Sequence, residues 1–141
     1  MSRLAPLSPL YAILDTGQIH ERPPVAVLEA LLRGGVAVVQ LRDKELTAKA
    51  CLSLARQARL STLKAGPRLI VNDRLDIALA SGADGVHLGQ EDLPLDAARR
   101  LMGNRIIGIS THDLAQAIEA ERGGADYIGF GPIFATATKE T

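Results

Sequence analysis

Asp73 and Asp92 are carboxylates, and Arg42, Lys44 and Lys139 are cations, that each follow a short apolar run. Gathered in one place, such groups handle phosphate. A hard cation such as Mg²⁺ takes one or two carboxylates plus ligand oxygens, and lysine or arginine neutralises the charge that is left. Gln40, Asn72, Ser110, Thr136 and Thr138 fall at the same kind of position. They add neutral donors and acceptors suited to a polar heterocycle or to phosphate oxygens. Taken singly, each has a plainer role. Arg42 and Lys44 read as solvated loop charges. Asp73, before Arg74, and Asp92, before Pro94, read equally well as helix caps. His87, inside an apolar run, reads as a hydrogen-bonded core histidine, and His112 as a helix-start residue. Ser110 has no evident histidine and aspartate partners for a hydrolase triad. Three histidines and one cysteine show no zinc spacing. Gly129-Phe130-Gly131 leads into Pro132 rather than into the glycine-rich turn and helix that a dinucleotide requires.

The elements that must position these groups alternate. Apolar runs stand at residues 10–15 (LYAILD), 36–42 (VAVVQLR), 68–73 (RLIVND), 85–89 (GVHLG), 105–110 (RIIGIS) and 127–131 (YIGFG). Between them lie helical patterns at 25–33, from Thr47 through Ala58, at 75–80, 95–102 and 113–122. Pro23-Pro24 and Pro94 open helices, and Gly34-Gly35, Gly82, Gly103 and Gly123-Gly124 close them, the expected asymmetry. Thr47 is placed to cap the second helix. Six strand–helix alternations with no hairpin dipeptide predict parallel βαβ units, with continuously apolar strands buried on both faces. In such folds ligands bind at the carboxyl ends of the strands. Five of those ends are polar, whereas the opposite turns at 33–35 and 81–84 are ordinary; that convergence favours a phosphate-handling rim. A short echo, GGVAVV, SGADGVHL and GGADYIGF, marks the helix-to-strand turns.

Composition bounds the function. Lys+Arg and Asp+Glu both count 16, so there is no cationic excess of the kind that nonspecific nucleic-acid binding needs. Aromatics are 3% and Trp is absent, which leaves a Leu, Ala, Ile and Val core and no stacking platform for bases. The single cysteine, Cys51, excludes an intrachain disulfide and fits a reducing compartment such as the cytoplasm. No apolar run approaches the ~18–20 residues that span a membrane. The start, MSRLAPLSPLYAILD, is a poor signal peptide. With no linker or low-complexity segment, residues 1–141 read as one domain.

The sequence resembles the thiamine phosphate synthase family. The matching stretches are LYAILD, VVQLRDK, LIVNDRLDIALASGADGVHLGQEDLP, IIGISTHD and GADYIGFGPIFATATK, in the family's order and approximate spacing. The resemblance implies an α/β fold of the (β/α)₈ TIM-barrel type. It implies a Mg²⁺-dependent transferase that condenses hydroxymethylpyrimidine diphosphate with thiazole phosphate. Carried over, Arg42, Lys44 and Lys139 would hold the diphosphate and, with Ser110, carry catalysis. Asp73 and Asp92 would bind Mg²⁺. Gln40, Asn72 and Ser110 would line the pyrimidine and diphosphate site, with Thr136 and Thr138 near the thiazole.

Two features depart from the family. Ala135 stands where the family usually has proline, which removes a fixed φ before Thr136. A complete barrel has eight units and usually over ~200 residues, whereas about six units are legible here. The expectation is therefore a C-terminally truncated barrel whose diphosphate half-site survives in part and whose turnover does not. A thiazole tautomerase relative and an inactive fragment acting only as a binding module are the alternatives. The expected partners are small-molecule substrates, with no nucleic acid and no membrane; homo-oligomer formation is left open.

Overall fold

The computed structural model describes residues 10–138. Strands and helices alternate as β1 (Tyr11–Asp15), α1 (Pro24–Arg33), β2 (Val38–Arg42), α2 (Ala48–Ala65), β3 (Arg68–Asn72), α3 (Leu75–Ser81), β4 (Gly85–Leu88), α4 (Leu95–Met102), β5 (Ile106–Thr111), α5 (Leu114–Arg122) and β6 (Tyr127–Phe130). All neighbouring strands pair in parallel, in the order β1-β2-β3-β4-β5-β6. Each expected element is present, with ends shifted by at most two residues, except that α2 continues past Ala58 to Ala65. Thr47 caps α2 by accepting from the Ala50 N–H at 3.2 Å, and Gly66 ends that helix at φ 104°. Asp113 caps α5 through the Gln116 N–H at 2.8 Å.

Alternating strand residues face opposite sides of the sheet. Val39, Leu41, Leu69, Val71, Val86, Leu88, Ile107 and Ile109 point to one side. There they pack with Leu28, Leu54, Ala58, Ile77, Ala78, Ala98, Met102 and Ala120 of the helices. The other side holds a smaller cluster of Val38, Ile70 and Ile106 with Tyr11 and Tyr127. These two tyrosines, on the two edge strands, touch: their hydroxyls lie 2.7 Å apart and their ring centroids 5.6 Å apart. In a flat sheet, strands five places apart would be about 24 Å from each other. The sheet is therefore strongly curled, with this second face concave, and it forms six strands' worth of the barrel expected to close with eight.

The expectation of strands apolar on both faces holds only in part. On the concave face the layer above Val38, Ile70 and Ile106 is polar: Gln40, Asn72 and His87 are all buried there. On the convex face, Ile128 and Phe130 of β6 are exposed, as are Leu114 and Ile118 of α5. No helix among the described residues is long and apolar enough to cross a membrane.

Candidate functional site

The carboxyl ends of β1 to β4 build the rim. Asp15 and Arg42 are register partners at the ends of β1 and β2, and Arg42 Nη1 pairs with Asp15 Oδ2. Their side chains are 12% and 13% exposed, so this pair is sheltered and its charges largely answer each other. Next along the rim, Lys44 Nζ pairs with Asp73 Oδ2, and here the side chains are 53% and 24% exposed. Lys44 sits in the loop after β2, beside Asp43. The Asp43 carboxylate accepts from Thr16 Oγ1 at 2.5 Å and from the Leu46 N–H at 2.9 Å, fixing the start of that loop.

Asp73 holds a strained backbone position on the rim. Its φ of 60° lies in the left-handed region that non-glycine residues seldom enter. The Asp73 N–H nonetheless bonds to the His87 carbonyl at 2.8 Å, continuing the β3–β4 ladder while the chain turns into α3. Asp92 closes the loop after β4 by accepting from the Gly89 N–H at 2.7 Å. Burial raises the Asp92 carboxyl above its ordinary value, and the Gly89 N–H partly offsets this. The neighbouring Asp73 carboxyl, in hydrogen-bonding contact, raises it further, while Lys44 acts in the opposite direction. Two carboxylates thus share one place with a lysine. Neither is a helix cap: α3 and α4 begin at Arg74 and Pro94 with no side-chain cap.

Below the rim, the concave face carries a continuous polar chain. Gln40 Nε2 donates to Tyr11 Oη at 2.7 Å, and Tyr11 Oη meets Tyr127 Oη. Tyr127 Oη lies 2.9 Å from His87 Nδ1, and His87 Nε2 lies 2.7 Å from Ser110 Oγ. Burial raises both phenols above the ordinary tyrosine value, so both stay protonated. The space for Tyr127 is made by a glycine. A Cβ on Gly108 would stand 2.1 Å from Tyr127 Cζ, so no other residue fits there without moving the ring. Gln40 Oε1 is buried with no hydrogen-bond partner among the described residues.

The structure therefore brings Arg42, Lys44, Asp73, Asn72 and Asp92 to one rim, with Gln40 and Ser110 at its floor. Ser110 does have a histidine partner, contrary to the sequence reading, because β4 and β5 are neighbours although His87 and Ser110 are 23 positions apart. That histidine's other nitrogen meets a phenol rather than a carboxylate, so the arrangement lacks the third member of a hydrolase triad. Thr136 and Thr138 are exposed on the segment after β6, where the Thr138 N–H bonds Thr136 Oγ1 at 3.1 Å. Lys139 lies outside the described residues. Sequence reasoning missed Asp15, Tyr11 and Tyr127. Asp15 carried a signal, since it ends the first apolar run as Asp73 ends the third. The tyrosines carried none, because only curling brings the edge strands together.

Comparison with known proteins gives a consistent picture. Residues 10–141 match the family model described as thiamine monophosphate synthase. A thiamine-phosphate synthase of Chloroflexus aurantiacus is 51% identical over 130 residues, covering 92% of this chain and 60% of that protein. One from Halalkalibacterium halodurans is 52% identical over 132 residues, covering 93% and 63% respectively. The chain thus spans about three-fifths of the length of these curated relatives. Among solved structures, thiamine phosphate pyrophosphorylase from Pyrococcus furiosus superposes with a TM-score of 0.83 at 38% identity, covering 89% of this chain and 60% of that one. A 2,3-dimethylmalate lyase, at 20% identity and TM-score 0.68, shares the fold.

Proposed function

The chain belongs to the thiamine monophosphate synthase family, and from that membership we propose that its rim serves the condensation of hydroxymethylpyrimidine diphosphate with thiazole phosphate, giving thiamine phosphate and diphosphate. The observation that carries this reading is the cluster of Lys44, Asp73 and Asp92, drawn together from the ends of three different strands. Two neighbouring carboxylates, one paired with a lysine and the other raised by burial, are costly to maintain without a ligand that uses them.

The donor set fits a hard cation. Asp73 and Asp92 offer carboxylate oxygens only. That suits Mg²⁺, which binds through one or two carboxylates and takes its other ligands from water and phosphate. Bound there, Mg²⁺ would supply charge neutralisation for the departing diphosphate. Asp73 and Asp92 would hold the cation, and Lys44, which pairs with Asp73 in the absence of a ligand, would then be available to the diphosphate. Arg42 stays anchored by Asp15 and presents its remaining N–H groups. Lys139 belongs to the same anion-holding set by family resemblance, with Thr136 and Thr138 assigned to the thiazole side.

The chemistry explains the kind of residue present. As the C–O bond to diphosphate breaks, negative charge grows on the leaving oxygen, and fixed cations and donors stabilise that growth. The electron-rich aminopyrimidine bears the benzyl-like cation left behind. The thiazole nitrogen that attacks carries no proton, so no general base is needed. Gln40 and Asn72 orient the pyrimidine, and Gln40 Oε1 offers an acceptor for its amino group.

Calorimetry of this chain with hydroxymethylpyrimidine diphosphate tests the reading. Binding is expected with Mg²⁺, weakening at least about tenfold when Mg²⁺ is omitted and in Asp73→Asn and Asp92→Asn. Binding that ignores both Mg²⁺ and these substitutions, or no binding at all, refutes it. An assay for thiamine phosphate with the second substrate then asks how much of the reaction this chain supports.

A further inference from the structure

The hydrogen-bond chain under the rim has a direction. Gln40 Nε2 can only donate, so Tyr11 Oη receives its proton. Tyr11 must then place its own proton on its other partner, Tyr127 Oη. Tyr127, having accepted, donates to His87 Nδ1. A neutral imidazole that accepts at Nδ1 carries its proton on Nε2, and that N–H donates to Ser110 Oγ. Ser110, having accepted, is left with its own hydroxyl proton to give. Run the other way, Tyr11 would receive two donors and have no acceptor for its own proton among the described residues.

We propose that Gln40, Tyr11, Tyr127, His87 and Ser110 form a one-way relay that presents Ser110 to the ligand as a hydrogen-bond donor, with His87 and Tyr127 as positioning residues. The relay ends in a buried acceptor on β2, Gln40 Oε1, and a half-buried donor on β5, the Ser110 hydroxyl. It crosses the concave face from one wall to the other, so one ordered state fixes both ends together. That polarity suits a ligand with an N–H at one side and an anionic oxygen at the other, and it disfavours ligands with the reverse pattern, which would leave buried groups unpaired. The ligand clause rests on the diphosphate reading of the rim; the direction of the relay does not.

Two measurements separate these. ¹⁵N-detected NMR of the histidine-labelled chain reports which ring nitrogen of His87 carries the proton. His20→Gln and His112→Gln, at exposed positions, identify the His87 signals by elimination. The expected result is a neutral ring protonated on Nε2; protonation on Nδ1 overturns the relay whether or not any ligand binds. Calorimetry with hydroxymethylpyrimidine diphosphate and Mg²⁺ then compares variants whose folding is checked by thermal melts. Tyr127→Phe and His87→Leu are expected to weaken binding about tenfold or more. His87→Gln, which keeps one acceptor and one donor, is expected to stay within about threefold of the parent. Parent-like affinity in Tyr127→Phe also overturns the relay. Absence of binding by the parent chain defeats the diphosphate reading instead, and the tautomer still decides the relay.

Discussion

The two ends of the curled sheet use aspartate in opposite ways. At the amino end, Asp84 accepts from the Leu69 N–H at 2.8 Å and from Arg59 at 2.9 Å, with Arg68 at 3.4 Å. Asp126 does the same two strands on, accepting from the Ile107 N–H at 2.9 Å and from Arg99 at 2.8 Å. Each carboxylate closes the start of a neighbouring strand and holds a helix against it. Arg99 also binds the carbonyls of Gly103, Arg105 and Gly124, so its donors are spent on structure. At the carboxyl end, Asp92 stands beside Asp73, whose backbone is strained, and burial together with the neighbouring Asp73 carboxyl opposes the ionisation of Asp92. One end consumes its charge in the fold; the other keeps charge in reserve for a ligand.

Exchanging carboxylates for neutral groups should split these ends sharply. Asp84→Ala leaves the Leu69 N–H and the sheltered Arg59 without their acceptor, and is expected to cost about 2–4 kcal/mol in urea unfolding. Asp126→Ala should cost a similar amount through Ile107 and Arg99. A loss below about 1 kcal/mol at both would erase the distinction drawn here. Gly108→Ala comes next. Its new methyl would collide with the Tyr127 ring, so about 1–3 kcal/mol of overpacking strain is expected, along with displacement of the tyrosine seen as a changed tyrosine NMR environment.

How far these ends were legible in the sequence follows from what sets each contact. The alternation of strands and helices, the Thr47 cap and the glycine stops depend on neighbours in sequence, and all could be read there. So could the gathering of Gln40, Arg42, Lys44, Asn72, Asp73 and Asp92, because parallel strands put every carboxyl end at one edge. The GAD echo was visible at 82–84 and 124–126, yet the first of those turns read as ordinary and no role was read for the second. Their aspartates serve strands that precede them by 15 and 19 positions, and only strand pairing reveals it. The Asp15–Arg42 pair and the tyrosine contact lie further out of reach. The first needs the β1–β2 register and the second needs the curl.

The exposed apolar side chains bear on the comparison from outside. Ile128 and Phe130 on β6, with Leu114 and Ile118 on α5, form uncovered apolar surface next to an edge strand. Sedimentation is expected to show concentration-dependent self-association that Phe130→Ser reduces, with rim ligand binding unchanged. Equal association in the variant would locate the contact elsewhere.

The smallest effect is also the most discriminating, since it reads the reserve of charge directly. The Asp92 carboxyl is raised in the folded chain, so the folded state holds that proton more tightly than the unfolded state does. Its contribution to stability is therefore lost as pH rises through the folded value and regained as pH falls toward the ordinary carboxylate range. Asp76 has the opposite sign. The hydrogen bond from Arg74 lowers its carboxyl, so its contribution is present above the unfolded value and lost as pH falls through the folded one. The difference between the parent and Asp92→Asn isolates the rim. In metal-free buffer the variant should melt higher at neutral pH, by less than about 3 °C, and the gap should close as the medium is acidified. Mg²⁺ favours the ionised pair, so adding it should stabilise the parent and not the variant, reversing the order at neutral pH. A gap that is independent of pH and of Mg²⁺ would mean that Asp92 is spent on its loop, as Asp84 is spent on its strand.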